Sequence, residues 1–313
     1  MENYQLCEMG LQSNIPFPEL IPSESQVAKY SFEYLPETDY SFPDYEWFHH
    51  HELPDGQRWI SYAKKDAEYI LRFYEIGDYF ISLEDNQIRC YPQPDIPLES
   101  IRHLLIDSVI PMMLNQQGHV VLHAGAVVLD QNVVAFLGLS GRGKSTLTAS
   151  FYANDFQVLT DDCLLLREGE CNFYGIPSYP GIRLWNENLN ALFSQSVEVA
   201  DVAHYTGKKR LVLPPDSFSI DSARLPLTKI FVIDEPDEGV SEIKLIKLSA
   251  REAFMELVQH TFQLDIKDRS TLMNNSNLFS RLAETGMFYR LSYPRELALL
   301  PEVRAAIIAA VKN

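Results

Sequence analysis

The chain has 313 residues, 46% of them hydrophobic, enough for one large domain or two modest ones around a sizeable core. Its formal charge is −17, from 26 basic and 43 acidic residues, which excludes a general nucleic-acid binder, because such a protein needs a net basic face. In so acidic a chain any local basic cluster becomes informative. The four cysteines, Cys7, Cys90, Cys163 and Cys171, include no C-x-x-C pair, so neither a zinc ribbon nor a thioredoxin-type site is indicated, and reduced thiols in a cytoplasmic protein are the expectation. The start, Met-Glu-Asn-Tyr, lacks a basic region followed by an apolar run, and no apolar stretch is long enough for a bilayer, so no membrane partner is expected.

Residues 1–30 are polar and rich in Pro, Ser and Glu, and read as a loosely held arm. Strands are expected around Tyr30–Tyr34, over Tyr69–Tyr74 and over Tyr79–Leu83, separated by Asp, Asn, Gly and Pro as in antiparallel hairpins. Residues 1–97 thus form an N-terminal β-rich segment, and residues 98–313 a second unit. A helix over Leu98–Asn115 follows from the helical spacing of Ile101, Leu104, Leu105, Val109, Met112 and Met113, with Gly118 ending it. Strands are then expected at Val120–Leu122, Ala126–Leu129 and Val133–Leu137, a helix over Lys144–Ala153 and a strand over Gln157–Thr160. Residues 167–215 read as loop-rich, Lys229–Ile233 as the last strand, and residues 250–313 as mostly helical.

Gly138-Leu-Ser140-Gly141-Arg142-Gly143-Lys144-Ser145 matches G-x-x-x-x-G-K-S, with Thr146 next, between an apolar strand and a helix-forming segment. Glycines allow the tight turn that points successive N–H groups at phosphate oxygens, and the helix adds its positive N-terminal end. Lys144 supplies a mobile charge for the terminal phosphates, and the Ser145 hydroxyl is suited to Mg²⁺. These residues imply a phosphate cradle for ATP or a similar nucleotide.

Seventeen residues past Lys144, the strand Val158–Thr160 ends in Asp161-Asp162. A carboxylate there has two uses: holding Mg²⁺, or accepting the proton of an attacking hydroxyl. A rival acid follows the apolar run Phe231–Ile233, as Asp234-Glu235-Pro236. It resembles the Walker B strand of ABC-type ATPases, in which Glu235 would polarise water. No L-S-G-G-Q signature precedes it, and Pro236–Gly239 reads as the turn of a hairpin.

The stretch from Leu122 to about Leu166 resembles the HPr serine kinase/phosphorylase family and its wider group of HPr kinase-like proteins. The likeness rests on His123 opening a small-residue turn 21 residues before Lys144, on the G-x-S-G-x-G-K-S loop, and on the following Asp161-Asp162 pair. It implies an α/β P-loop domain of the HPr kinase and phosphoenolpyruvate carboxykinase type, using ATP and Mg²⁺. By position it implies Lys144 and Ser145 on phosphate and metal, Asp161 as the base toward a serine hydroxyl, Asp162 supporting the metal, and His123 beside the transferred group. Without the family, His123 reads as a structural histidine. The helix ending near Asn115, with Tyr293-Pro294-Arg295 and Leu299–Val303, is similar to a subgroup found with peptide-modifying gene clusters, including lasso peptide kinases, which implies a peptide or small protein as acceptor. The glycine-rich signature that bifunctional HPr kinases carry after the aspartates is missing. Tyr174–Pro177 and Pro180–Arg183 stand there instead, so HPr itself and the reverse reaction are not carried over. The family's HPr kinases assemble as oligomers, so the resemblance leaves a homo-oligomer open, while the sequence itself does not give the oligomeric state.

Lys208-Lys209-Arg210 is a basic cluster after Gly207, suited to closing over phosphates, to binding an anionic acceptor, or simply to facing solvent. Arg183 and Arg295 are candidates of the same kind. His49-His50-His51 cannot all face one ion from one strand. A kinase acting on a serine hydroxyl is the leading reading; a nucleotide hydrolase using Glu235 and a non-catalytic nucleotide-sensing module are the alternatives.

Overall fold

The computed structural model describes residues 1–25, 27–36, 39–170, 172–193, 197–214, 224–235 and 241–312. Cys171 and the expected turn at Pro236–Gly239 lie outside them. Among the described residues the chain is mixed α/β, with three sheets.

The first sheet holds nine strands between Glu2 and Pro92. Trp47–Glu52, Arg58–Lys65, Glu68–Phe73, Gly77–Ser82 and Gln87–Pro92 run as an antiparallel meander. Tyr30–Tyr34 then joins Gln87–Pro92 in parallel, and Leu11–Ser13 joins Tyr30–Tyr34 in parallel, so the expected hairpins account for only part of the sheet. The first 30 residues are not a loose arm. Glu2–Gln5 and Ile21–Pro22 complete the edge, and Tyr4, Leu11 and Phe17 are buried, with Phe17 edge-on to both Tyr4 and Phe32. Their polar spacers had hidden a strand pattern in which Tyr4, Leu11, Phe17 and Tyr30 face one core.

The helix after Pro97 contains a wide turn. Leu98–Leu104 is α-helical, Leu105–Val109 is π-helical, and Ile110–Gln116 is α-helical again. Pro111 has no N–H for the carbonyl four residues back, and the widened turn, with the Ile110 N–H on Leu105 O, accommodates it. This helix shares one continuous core with the first sheet: Tyr79 donates its hydroxyl to Ile101 O at 2.9 Å, and Ile101, Leu105, Val109 and Met113 cluster with Tyr79 and Ile81. The core runs across residue 97 without a break.

The second sheet carries the glycine loop. In order across it lie Val120–Leu122, Leu164–Glu168, Phe173–Ile176, Leu225–Ile233, Asn132–Leu137, Ala124–Leu129 and Val158–Thr160. Ala135 and Leu137 face one core and Val134 and Phe136 the other, so the loop's parent strand is buried on both sides and held rigid. Leu225–Ile233 runs parallel to Asn132–Leu137, and Phe288–Ser292 lies parallel beyond it. Lys244–Lys247 pairs with Phe288–Ser292, not with Leu225–Ile233. The expected hairpin around Pro236 is therefore corrected: Phe288–Ser292 lies between the two strands. It also breaks the expected helical C-terminal stretch, otherwise Ala250–Gln259, Arg269–Glu284 and Leu300–Lys312.

Residues 167–215 hold more regular structure than their Pro and Gly content predicts. Ile182–Leu184, Lys209–Leu211 and Val199–Asp201 form a small third sheet, and Asn186–Leu192 is a helix. Gly125 has a packing reason: a Cβ there would lie 2.3 Å from Thr148 Oγ1, so only glycine lets the helix Lys144–Tyr152 settle on its strand. Among the described residues, no helix is long and apolar enough to cross a membrane.

Candidate functional site

The loop Gly138–Gly143 joins the buried strand Asn132–Leu137 to the helix Lys144–Tyr152. Gly141 and Gly143 take φ of +80° and +94°, a left-handed turn that side chains resist. Gly143 caps the helix, and a Cβ on it would meet Arg295 Nη1 at 3.0 Å.

A cleft of about 440 Å³ opens at the helix start. Ser140, Gly141, Gly143, Lys144, Ser145 and Thr146 form one wall; His103, His123, Asp162, Arg183, Tyr205 and Lys208 are among the residues opposite. Lys144 is buried, and its ammonium donates to Gly138 O at 2.6 Å and Leu139 O at 3.4 Å. Burial lowers its pKa to about 8, against the pull of Asp162 and Asp161. Thr146 Oγ1 accepts from Asn188 Nδ2 at 2.8 Å.

The two aspartates part ways. Asp162 lines the cleft, 3.7 Å from His123 Nε2, and accepts from Arg183 Nε at 2.7 Å. Burial would raise its pKa, but Arg183 first, then His123 and Lys144, hold it well below the usual carboxylate range. Asp161 is buried and is not among the residues lining the cleft. Its Oδ2 accepts the Arg183 backbone N–H at 2.9 Å, while its Oδ1 is buried without a hydrogen-bond partner among the described residues. Burial and the neighbouring Asp162 push its carboxyl well above the ordinary range. The strand ends at Thr160 and the chain bends through the pair, so both side chains meet Arg183, one at its backbone N–H and the other at its guanidinium. His123 is kept neutral: burial and Lys144 take it down to about 3, and its backbone N–H is fixed on His260 O at 2.7 Å.

Arg183 is the centre of a network that sequence reading missed. Its guanidinium bridges Asp162 and Asp107, with Nη1 3.0 Å from Asp107 Oδ2 and 3.1 Å from the His103 ring nitrogens. Tyr179 donates its hydroxyl to Asp107 Oδ1, and His103 pairs with Asp107 Oδ2. Burial alone would raise the Asp107 pKa; Arg183 and His103 bring it to about 2. The signal was present in the sequence: His103 and Asp107 are a polar i,i+4 pair on the buried face of an otherwise apolar helix.

The remaining candidates scatter. Lys208 reaches the cleft, its ammonium 5.8 Å over the half-exposed Trp185 ring. Lys209 pairs with Asp201 and Arg210 turns inward to Glu19, because the strand Lys209–Leu211 alternates its side chains. Arg142 leaves the cleft to pair with Glu235. Arg295 clamps the loop from behind, donating to Arg142 O and to Asp234 O at 2.5 Å. Glu235 lines a separate cleft with Arg142, Glu256 and Arg290. The histidine run lies on Trp47–Glu52 in the first sheet, with His50 Nδ1 2.7 Å from Ser61 Oγ.

The donors facing the cleft fit a nucleotide with Mg²⁺. Ser145 and Asp162 offer hard oxygens to one space, and the neighbouring Asp161 has a buried Oδ1 with no hydrogen-bond partner among the described residues. Among the described residues no group of three or more His, Cys, Asp or Glu could hold a metal ion.

No family model and no curated protein matches the chain. Among solved structures it is similar to the Hpr(Ser) kinase/phosphatase from Coxiella burnetii, at 13% identity and a TM-score of 0.31, over 61% of this chain and 97% of that one.

Proposed function

We propose that the protein is an ATP- and Mg²⁺-dependent kinase that phosphorylates a hydroxyl, the serine of a peptide or small protein. One observation carries the reading: a glycine-loop lysine and serine share a single cleft with Asp162, whose carboxylate pairs with Arg183, and the neighbouring Asp161 is buried on the Arg183 backbone. A pair of carboxyls whose environments drive their affinities for protons apart is the arrangement that divides acid–base work from charge work.

The roles follow from the geometry. The loop N–H groups and Lys144 hold the phosphates and neutralise charge developing on the transferring group. Ser145 and Asp162 would hold Mg²⁺, which would supply further charge neutralisation at the phosphates. Asp161 is assigned the hydroxyl proton: its Oδ1 is buried without a hydrogen-bond partner among the described residues and can accept when a bound acceptor brings its hydroxyl there, while Asp162, paired with Arg183, is the better cation ligand. Neutral His123 offers one donor or acceptor at the cleft wall without adding charge. The hydrolase alternative loses support because Glu235 is spent on Arg142 outside the cleft.

The direct test is isotopically labelled ATP with Mg²⁺ and serine-bearing peptides, read by mass spectrometry for a phosphate adduct. Adduct formation that disappears in Lys144→Ala is expected; release of phosphate to water at the same rate with and without every acceptor would overturn the reading. In that assay Glu235→Gln is expected to keep turnover within about twofold, as a surface ion pair contributes little. A drop of a hundredfold would restore the hydrolase.

A pH dependence follows from Lys144. Its pKa of about 8 in the free protein rises when phosphate binds beside it, so binding at pH 8–9 must take up a proton. Nucleotide affinity is expected to be flat below pH 7 and to fall about tenfold per pH unit above pH 8. Calorimetry in buffers of different ionisation enthalpy should show proton uptake at pH 8.5. Its absence would mean that the lysine is already charged.

A further inference from the structure

A second cleft, of about 580 Å³, lies between the N-terminal segment Pro18–Pro22 and the third sheet. Its floor carries a buried cation with unmet hydrogen bonds. Arg210 has a side chain 3% exposed, and its Nε, Nη1 and Nη2 are all buried with no hydrogen-bond partner among the described residues. A guanidinium so placed ordinarily has its donors satisfied, because an unmet buried charge is costly. Its place is made by its neighbours: Gly181 leaves room for its stem, since a Cβ there would lie 3.0 Å from Arg210 Cδ, and the guanidinium carbon lies 5.8 Å from the Tyr179 ring centre.

The cleft already shows what such a cation receives. The Glu19 carboxylate lies with Oε1 3.2 Å from Arg210 Nη1, off the line of a hydrogen bond, while Arg102 Nε reaches both its oxygens at 2.9 and 3.0 Å. Two arginines thus face one carboxylate, and the donors of Arg210 remain. Around them Leu20, Pro180, Val212 and Leu213 give apolar walls, whereas Glu99 and Glu198 stand among the lining and repel further negative charge.

We propose that this cleft is a binding site for a monocarboxylate with an apolar body, and that Glu19 is an internal occupant which the ligand's carboxylate displaces. The two cations match one carboxylate bidentately, the acidic surround disfavours a polyanion, and the walls suit an aliphatic chain. Two sources carry this chemistry: a free acyl chain and the C-terminus of an apolar peptide.

The test uses the full chain without nucleotide, so its outcome is independent of the kinase reading. Octanoate, N-acetyl-alanyl-leucine and the C-terminal amide of that dipeptide are titrated by calorimetry. At least one of the two carboxylates is expected to bind and the amide is not; which of them binds more tightly identifies the source. Glu19→Gln removes the internal competitor and should tighten binding about tenfold. Glu19→Asp, which withdraws the charge by one methylene, should act in the same direction. Arg210→Met should abolish binding, and Arg102→Gln, which leaves the buried Arg210 in place, should weaken it about tenfold should the first variant not fold. Failure of both carboxylates to bind Glu19→Gln, or unchanged binding in the arginine variants, overturns the proposal.

Discussion

Arg183→Met is expected to lower the folding free energy by about 3–5 kcal/mol, because it leaves Asp107 and Asp162 buried without the cation that bridges them. Both carboxylates are almost fully buried, and Tyr179 and His103 alone cannot balance two negative charges. The loss should depend on pH in a definite direction. In the wild type the Asp107 carboxyl is held near 2, below its ordinary 3.8, so its stabilising contribution is fully present above about pH 4 and fades as pH falls toward 2. In the variant both carboxyls gain proton affinity and become neutral at higher pH. The gap between variant and wild type should therefore be widest near pH 7 and shrink toward pH 4. Urea unfolding at several pH values measures it; a gap under 1 kcal/mol at pH 7 would show that the network is not what holds the carboxylates.

Asp161→Asn and Asp162→Asn should fail in opposite ways. Removing a general base costs about 10²–10⁴ in rate, so Asp161→Asn is expected to reduce phosphoryl transfer by that factor with nucleotide affinity little changed. Its fold should be nearly intact, since asparagine is a group of the same size whose amide oxygen can still accept the Arg183 backbone N–H. Asp162→Asn strips the anion from Arg183 and the cleft's carboxylate from the metal. It should lose stability and require more Mg²⁺ for half-maximal rate. Transfer retained above half in Asp161→Asn would remove that residue from the chemistry.

The loop was legible because its code is local. Glycines at 141 and 143 are required by left-handed φ angles, and an apolar run before them and a helix after them need only neighbouring residues. The first 30 residues misled because short strands with polar spacers resemble a loop until their partners are known, and residues 167–215 did so because Pro177, Pro180 and Gly181 punctuate them. The basic triplet misled for another reason: composition counts Lys208, Lys209 and Arg210 together, but a strand sends its last two to opposite sides.

By itself, then, the sequence determined the strand, glycine turn and helix that meet at Lys144, and the acidic pair that ends the strand Val158–Thr160. These depend on backbone torsion and on apolar spacing within a few residues. Only the tertiary structure decided that Arg183 bridges Asp162 to Asp107, 76 residues away in the chain, that Asp161 takes the Arg183 backbone N–H, and that Glu235 turns to Arg142 outside the cleft. Those outcomes depend on which strands pair, in which direction and with which face inward, and a buried charge finds its partner only after that choice is made.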